Sequence, residues 1–397
     1  YLIKKSYFKY IFVILFFLFS FNLISQDKNL NKIDSKISFN YYSEDIKIEK
    51  YKTRKNPVLF IVLDEMNGIG GLDTKIRNYE KAKNSYLDLG KNFNFTIYPN
   101  SYTTIPGTIE SIPRMLNFDS STNDPFYNNY IIDHENYFFW KKLIKNKLFN
   151  SYRQNKIYVR QTLSIDFCNN INVVRCETFN PYSKKVLKEN NYSYPIITEF
   201  ISKLLYQNSI LSRLFSRFLV ELNLINLSIS PRSDKAYFQK DLIDLFEVIK
   251  KEKYDLYFAY YLVPHKPFGF DDKCNYKLFG VLNTDPVFMK TQHNEEIYCT
   301  NLFLNSFLKK MKTLDRYKDF KIIVVSDHGA RNTSEPKDYF SVATMVKDIS
   351  QQSSINKKII SVQSVVSKFF GETENDDTLF HEYYNYGTKK FEEIKFN

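Results

Sequence analysis

Two stretches of this chain set an acid and a second polar group directly after an unbroken apolar run. In "VLFIVLDEMNG", Val58–Leu63 lead into Asp64 and Glu65; in "FKIIVVSDHGAR", the run ends in Ser326, Asp327, His328 and Gly329. A third stretch, "YDLYFAYYLVPHKPFG", puts His265 after a similar run. Carboxylate oxygens and imidazole nitrogens together suit zinc or manganese, and no thiolate lies in any of the three. Taken alone, Asp64 reads equally well as a turn former and His265 as a packed imidazole. The Asp327–His328 pair resists that treatment. It follows a fully apolar run, and Gly329 after it allows a sharp backbone turn under a ligand. The chain has only five His, and two of them fall at these positions.

A metal does not define a reaction by itself. The stretch "SYTTIPGTIESIPRML" adds hydroxyls at Ser101, Thr103, Thr104, Thr108 and Ser111. A threonine hydroxyl is a weak nucleophile until a cation lowers its pKa. Thr108 follows Gly107 and heads a predicted helix, Ile109 to Leu116. At such an N-terminus the backbone N–H groups and the dipole favour an incoming anion such as phosphate or sulfate. A helix cap is the plainer role for Thr108.

These residues need elements to bring them together. The unbroken apolar stretch Val58–Leu63 has the look of a strand buried on both faces, as in a parallel sheet. The spacing predicts a helix over 74–90, a short strand within 92–99, a helix over 136–149 and a strand at "KIYVRQT". Apolar residues recur at helical intervals over 195–225. A helix over 238–251 follows, with Leu242, Leu245, Phe246 and Ile249 on one face. A strand then leads to His265, and a helix over 294–314 precedes the run to Ser326. Helix and strand alternate, which predicts an α/β fold with a mostly parallel central sheet flanked by helices. In an open parallel sheet, ligands bind beyond the carboxyl ends of the strands. Three distant segments would therefore deliver Asp64, His265, Asp327 and His328 to one rim.

The 397 residues, 43% of them hydrophobic, suffice for a full core. The net charge is +12, but Lys is scattered, and no basic stripe or module marks a nucleic-acid binder. A basic exterior suits work beside an anionic membrane. Lys4, Lys5 and Lys9 precede the apolar run Tyr10 to Ile24, which predicts an N-terminal hydrophobic helix. At this length it reads as a signal-anchor or a removed signal peptide over 1–27. The chain opens at Tyr1 rather than Met, which leaves room for a fragment of a longer protein. The polar, Lys/Asn-rich residues 28–55 read as a linker, 56–371 as the catalytic domain and 372–397 as a peripheral tail. The basic flank favours a body outside the cytoplasm. Four cysteines in such a chain predict two local disulfides, Cys168 with Cys176 and Cys274 with Cys299. A zinc site is the rival, though no Cys-x-x-Cys spacing exists.

The order Asp64, Thr108, His265, Asp327–His328 resembles the alkaline phosphatase/sulfatase superfamily, and within it the phosphoethanolamine transferases and lipoteichoic acid synthases. Asp64 matches the acid closing the first strand. Thr108, Ser111 and Pro113 match a Thr-x-x-Ser-x-Pro context, Ser326–Gly329 match "SDHG", and His265 matches the pocket histidine. The resemblance covers about residues 56–371 and implies an alkaline-phosphatase-like three-layer sandwich. It further implies one divalent metal held by Asp64, Thr108, Asp327 and His328. Thr108 would be the nucleophile, and His265 would bind substrate or protonate the leaving oxygen. The implied partners are a phospholipid donor and a cell-surface lipid or glycan acceptor. The implied place is the inner membrane, with the catalytic domain periplasmic or extracellular. Two departures stand out. "SIPRM" carries Met115 where the sulfatase motif Cys/Ser-x-Pro-x-Arg has Arg, so a sulfatase is the alternative rather than the first reading. No further His follows closely in "GARNTSEPKDYFSVATMV", so a second metal would need other ligands, Glu65 among them. A catalytically inactive surface-binding protein is the reading from another class.

Overall fold

The computed structural model describes residues 56–119, 131–133, 141–152, 156–162, 165–179, 228–229, 233–276, 280–281, 285–331, 336–372, 382–385 and 390–393. The apolar run Tyr10–Ile24, the linker over 28–55 and the helical pattern over 195–225 lie outside them. Among the described residues, no helix is long and apolar enough to cross a membrane.

An eight-stranded sheet organises the rest. Its strands in chain order are β1 (Val58–Asp64), β2 (Thr96–Ile97), β3 (Ile157–Thr162), β4 (Val173–Phe179), β5 (Leu256–Pro264), β6 (Lys321–Ser326), β7 (Thr344–Lys347) and β8 (Ser354–Ile355). Across the sheet they run β8-β2-β7-β6-β1-β5-β3-β4. β7 pairs antiparallel with β6 and with β2, and the other pairings are parallel. The strand with the most continuous apolar sequence, β1, lies in the middle, and all seven of its residues are buried. Its neighbours β5 and β6 run parallel to it in matching register. Val58 faces Leu256 and Lys321, and Leu63 faces Tyr261 and Ser326. The carboxyl ends of all three therefore meet at one edge, as the sequence reading expects.

Among the described residues, five main helices cover the sheet: α1 (Tyr79–Phe93), α2 (Thr108–Leu116), α3 (Ser233–Lys251), α4 (Pro286–Met311) and α5 (Val362–Phe370). Alternation along β1 sorts the core into two halves. Leu59, Ile61 and Leu63 join Leu89 of α1, Leu242, Leu245 and Ile249 of α3, and Leu304 and Leu308 of α4. Val58, Phe60 and Val62 point the other way, to Ile112 and Leu116 of α2 and Val362, Val366 and Phe369 of α5. This helix–sheet–helix layering is the expected α/β architecture with a mostly parallel central sheet.

Element ends follow local chemistry more closely than periodicity did. Helix α4 starts at Pro286 rather than 294, because the Asp285 side chain accepts from the Val287 N–H at 3.0 Å and proline suits the first turn. Helix α1 starts late, at Tyr79, and closes where Asn94 takes a left-handed conformation. The helix expected over 136–149 is corrected over its described residues, 141–149: Lys141–Leu143 is a strand pairing with Ile131–Asp133 and Ile165–Asp166, and a helix begins at Lys147 and runs to Ser151. Residues 136–140 lie outside the described residues. Asn146 ends the extended stretch by capping that short helix through the Phe149 N–H at 2.9 Å. The disulfides Cys168–Cys176 and Cys274–Cys299 pair as expected.

Phe258 of β5 is fully buried, with ring centroids of Phe60, Phe149 and Phe167 at 5.5, 5.4 and 5.0 Å. Phe258→Ala should lower the free energy of unfolding by about 3–5 kcal/mol, the usual range for emptying a packed aromatic site. Urea denaturation measures this, and a loss under ~1 kcal/mol would contradict the packing described.

Candidate active site

The edge where β1, β5 and β6 end carries the acids and imidazoles singled out above. Asp64 closes β1 beside a register shift, and Glu65 after it turns through a left-handed conformation (φ 64°). Asp327 and His328 directly follow β6. One oxygen of each aspartate is committed to the protein. Asp64 Oδ2 accepts the Tyr260 hydroxyl at 2.9 Å. Asp327 Oδ1 accepts the Glu65 and His328 backbone N–H groups at 3.1 and 2.8 Å. The other oxygens, Asp64 Oδ1 and Asp327 Oδ2, are buried and accept no hydrogen bond.

His328 faces those two atoms. Its Nδ1 lies 2.7 Å from the Gly329 carbonyl, so that nitrogen carries a proton and donates. Its Nε2 points inward, 3.4 Å from Asp64 Oδ1 and 3.6 Å from Asp327 Oδ2. The same Nε2 lies 3.4 Å from the Thr108 hydroxyl. Asp64, Asp327 and His328 thus offer three ligand atoms within 4.8 Å of one another, all from buried residues. Outer partners that fix ligand orientation in this way are the usual support of a metal site. A buried carboxylate oxygen without a donor is costly unless a cation meets it. The donor set therefore fits a divalent cation.

The charges agree. Burial pushes Asp64 up, but His265, His328 and Arg331 outweigh it and hold its carboxyl well below the usual range. Burial and the neighbouring Asp64 charge push Asp327 up to about 6. Burial lowers His328, yet Asp327 and Asp64 together raise it to about 9. The cluster demands positive charge, which protons supply when nothing stronger is present.

Thr108 is the first residue of α2. The cap position belongs to Gly107, so the capping role weighed for Thr108 does not apply. Ser111, one turn on, is fully buried and donates to the Asp327 carbonyl at 2.6 Å. Its hydroxyl ties α2 to the β6 end instead of facing the cluster. Gly329 is needed for a different reason than the sharp turn expected. A Cβ there would collide with the backbone carbonyls of Asp338 and Ser341. Close approach, not a left-handed φ, excludes a side chain.

His265 enters from the β5 side. Its Nδ1 faces the Lys266 carbonyl, and its Nε2 lies 3.3 Å from Glu65 Oε2. Glu65, floated above as a second-metal ligand, stands outside the three-donor group. Its Oε1 accepts the Arg331 N–H at 2.9 Å. Burial raises Glu65, but the charges of His265 and His328 bring it down to about 2.

Three contributors escaped the sequence reading. Tyr260 supports Asp64 from a strand whose apolar alternation hides it. Arg331 puts Nη2 3.0 Å from His328 Nε2, and its place just after "SDHGA" was the available signal. His293 of α4 is buried and reaches the Glu65 carbonyl at 2.7 Å, and nothing in a helical repeat announces that contact.

Comparisons with known proteins follow the geometry. A family model described as Sulfatase matches residues 56–341, well over half of the chain. No curated protein matches the sequence. Among solved structures, the phosphonate monoester hydrolase of Agrobacterium radiobacter is similar at 10% identity and TM-score 0.48, covering 83% of this chain and 79% of that one. The C-terminal periplasmic domain of the phosphoethanolamine transferase EptC from Campylobacter jejuni is similar at 12% identity and TM-score 0.45, covering 81% and 89%. The corresponding EptC domain from Escherichia coli, in complex with Zn, gives 12% identity and TM-score 0.45, covering 81% and 85%. The family match, on a chain whose acids, imidazole and hydroxyl converge at one sheet edge, places the protein in the Sulfatase family.

Proposed function

We propose that the protein is a metal-dependent hydrolase or transferase that uses Thr108 to cleave or transfer a phospho-alcohol group on a cell-surface lipid or glycan. The observation that carries this reading is the Thr108 hydroxyl, free of capping duty and 3.4 Å from the inward nitrogen of His328. Asp64, Thr108, Asp327 and His328 would hold one divalent ion, zinc or manganese by their oxygen and nitrogen donors. Such an ion lowers the pKa of a hydroxyl and offsets charge on phosphoryl oxygens.

The chain's own groups do the rest. The positive end of α2 favours an anionic phosphoryl group beside Thr108. Thr108 Oγ, its proton released to solvent, forms a bond to phosphorus as the bond to the donor's leaving oxygen breaks, which leaves the phospho-alcohol group esterified to Thr108. His265, with Nδ1–H turned to the Lys266 carbonyl, presents Nε2 toward Glu65 and the cluster. From there it binds the substrate or hands a proton to the leaving oxygen. An acceptor hydroxyl, or water, then attacks phosphorus and restores the Thr108 hydroxyl. Phospholipid as donor and a surface lipid or glycan as acceptor fit a body carried outside the cytoplasm by the Tyr10–Ile24 run, as signal-anchor or signal peptide, in a membrane-anchored form. Sulfate ester cleavage is the second reading. It is weakened because Ser111, the hydroxyl in the Ser-x-Pro position, is spent on the Asp327 carbonyl.

Thr108→Ala should cut turnover of an aryl phosphodiester by on the order of 10³-fold or more with melting temperature preserved. Mass spectrometry of the parent chain incubated with lipid extract should find the added phospho-group on the Thr108 peptide. Full activity in the variant would move the nucleophile elsewhere, with Thr104 next. Metal removal by a chelator should abolish activity and lower stability. Restoring zinc or manganese at a hundredfold excess over Kd should return about 2.7 kcal/mol, with one ion per chain by elemental analysis. A chain that binds neither ion would point to a surface-binding protein without catalysis. Assay on aryl sulfate beside aryl phosphodiester should favour the diester, and the reverse preference would favour the sulfatase reading.

A further inference from the structure

The segment bearing His265 is gripped from behind by a buried ion pair. Lys235 of α3 and Glu296 of α4 meet at 3.0 Å with neither side chain exposed. Lys235 Nζ also reaches the Pro264 carbonyl, at 3.4 Å, immediately before His265. Glu296 Oε1 accepts two backbone N–H groups just after it, from Gly269 and from Phe270 at 2.6 Å. One pair therefore fastens the chain on both sides of the imidazole. Further ties run mainly to α4, with Lys81 of α1 on the Asp272 carbonyl and Lys235 of α3 over the Phe268 ring besides. The Phe268 ring lies 5.7 Å from that of His293, Phe270 packs on Phe303 at 5.3 Å, and Cys274 is bonded to Cys299. His293, one turn before Glu296, holds the Glu65 carbonyl. Helix α4 thus contacts both the His265 segment, through Glu296, and the residue that His265 faces, through the Glu65 carbonyl.

Packing alone does not call for this arrangement. A buried ion pair rarely adds net stability over apolar residues of the same volume. Its value lies in the directional acceptor it puts under two backbone donors. We propose that Glu296, held in place by Lys235, is a positioning residue that sets the distance between His265 and Glu65. The proposal rests on the role given to His265 above.

The test compares two chains that both lack the buried charges. Lys235→Met/Glu296→Gln keeps an oxygen under Gly269 and Phe270; Lys235→Met/Glu296→Leu keeps the volume and removes it. Removing both charges together avoids stranding one of them in the core. Each is made in the full metal-loaded chain, with and without His265→Ala, and assayed on a phenyl phosphodiester, whose leaving group needs a proton. The Gln chain should stay within about threefold of the parent. The Leu chain should lose about ten- to hundredfold in kcat, the scale of a misplacement near 1 Å, with bound metal unchanged. In the His265→Ala background the two chains should be equal within about twofold, because the group they position is gone. An equal loss in both backgrounds, or a Leu chain as active as the Gln chain, overturns the proposal. The Thr108→Ala result judges the reaction assignment separately, since it does not involve the clamp. If the Leu chain does not fold, amide hydrogen exchange at Gly269 and Phe270 in the Gln chain and the parent decides. Protection matching the core strands supports the clamp, and exchange at the rate of open loops overturns it.

Discussion

Two buried carboxylates, each with one oxygen in a hydrogen bond and the other without one, cannot both stay ionised without positive charge between them. That constraint governs the edge of the sheet. Asp64 and Asp327 are driven apart in proton affinity, and His328 turns its inward nitrogen on both bare oxygens. Tyr260 and the Glu65 and His328 N–H groups hold the opposite oxygens still. Stability gives no motive for building this, since apolar residues would fill the same volume at lower cost. The three donor atoms could seat a cation, and the Thr108 hydroxyl lies beside His328 among them.

The fold serves that seat by making its walls rigid. β1 is buried over all seven residues and flanked by parallel neighbours in matching register. The turn after β6 is pinned to the turn after β1 by Asn67, whose amide bonds the Asp338 carbonyl and the Ala330 N–H at 2.8 and 2.7 Å. Ser326 Oγ bonds the Met66 carbonyl, and Ser111 bonds the Asp327 carbonyl at 2.6 Å. These short polar side chains lock three segments into one block, which is the kind of preorganisation that holds a site's groups in fixed geometry.

Much of this was legible in the sequence, for a physical reason. Runs such as Val58–Leu63 are too apolar for any place but the middle of a sheet, and strand ends are where ligands collect. That reasoning placed Asp64, His265, Asp327 and His328 at strand ends and Thr108 at a helix start, and the structure puts them there. What stayed hidden were contacts between elements whose sequence looks ordinary. Tyr260 reads as one more aromatic in a β run, and His293 and Glu296 read as polar positions on a long helix. Their partners are backbone groups 228 and 26 residues away, and backbone groups leave no mark in a residue pattern. The 136–149 stretch failed for the opposite reason. Its helical spacing was real, but Asn146 and the pairing of Lys141–Leu143 with two other strands decided the outcome.

The central place of β1 has one more consequence. Its hydrogen-bonded partners begin at Leu256 on one side and Lys321 on the other, so the cradle of donor atoms belongs to no contiguous stretch of chain. Those strand pairings bridge long sequence separations, and loop-closure entropy makes such pairings slow to form. No shorter piece of the polypeptide owns the cradle. Occupancy by a cation would therefore mark a chain whose sheet is fully assembled, and release of the ion would be tied to opening the middle of the molecule instead of to fraying at its edges.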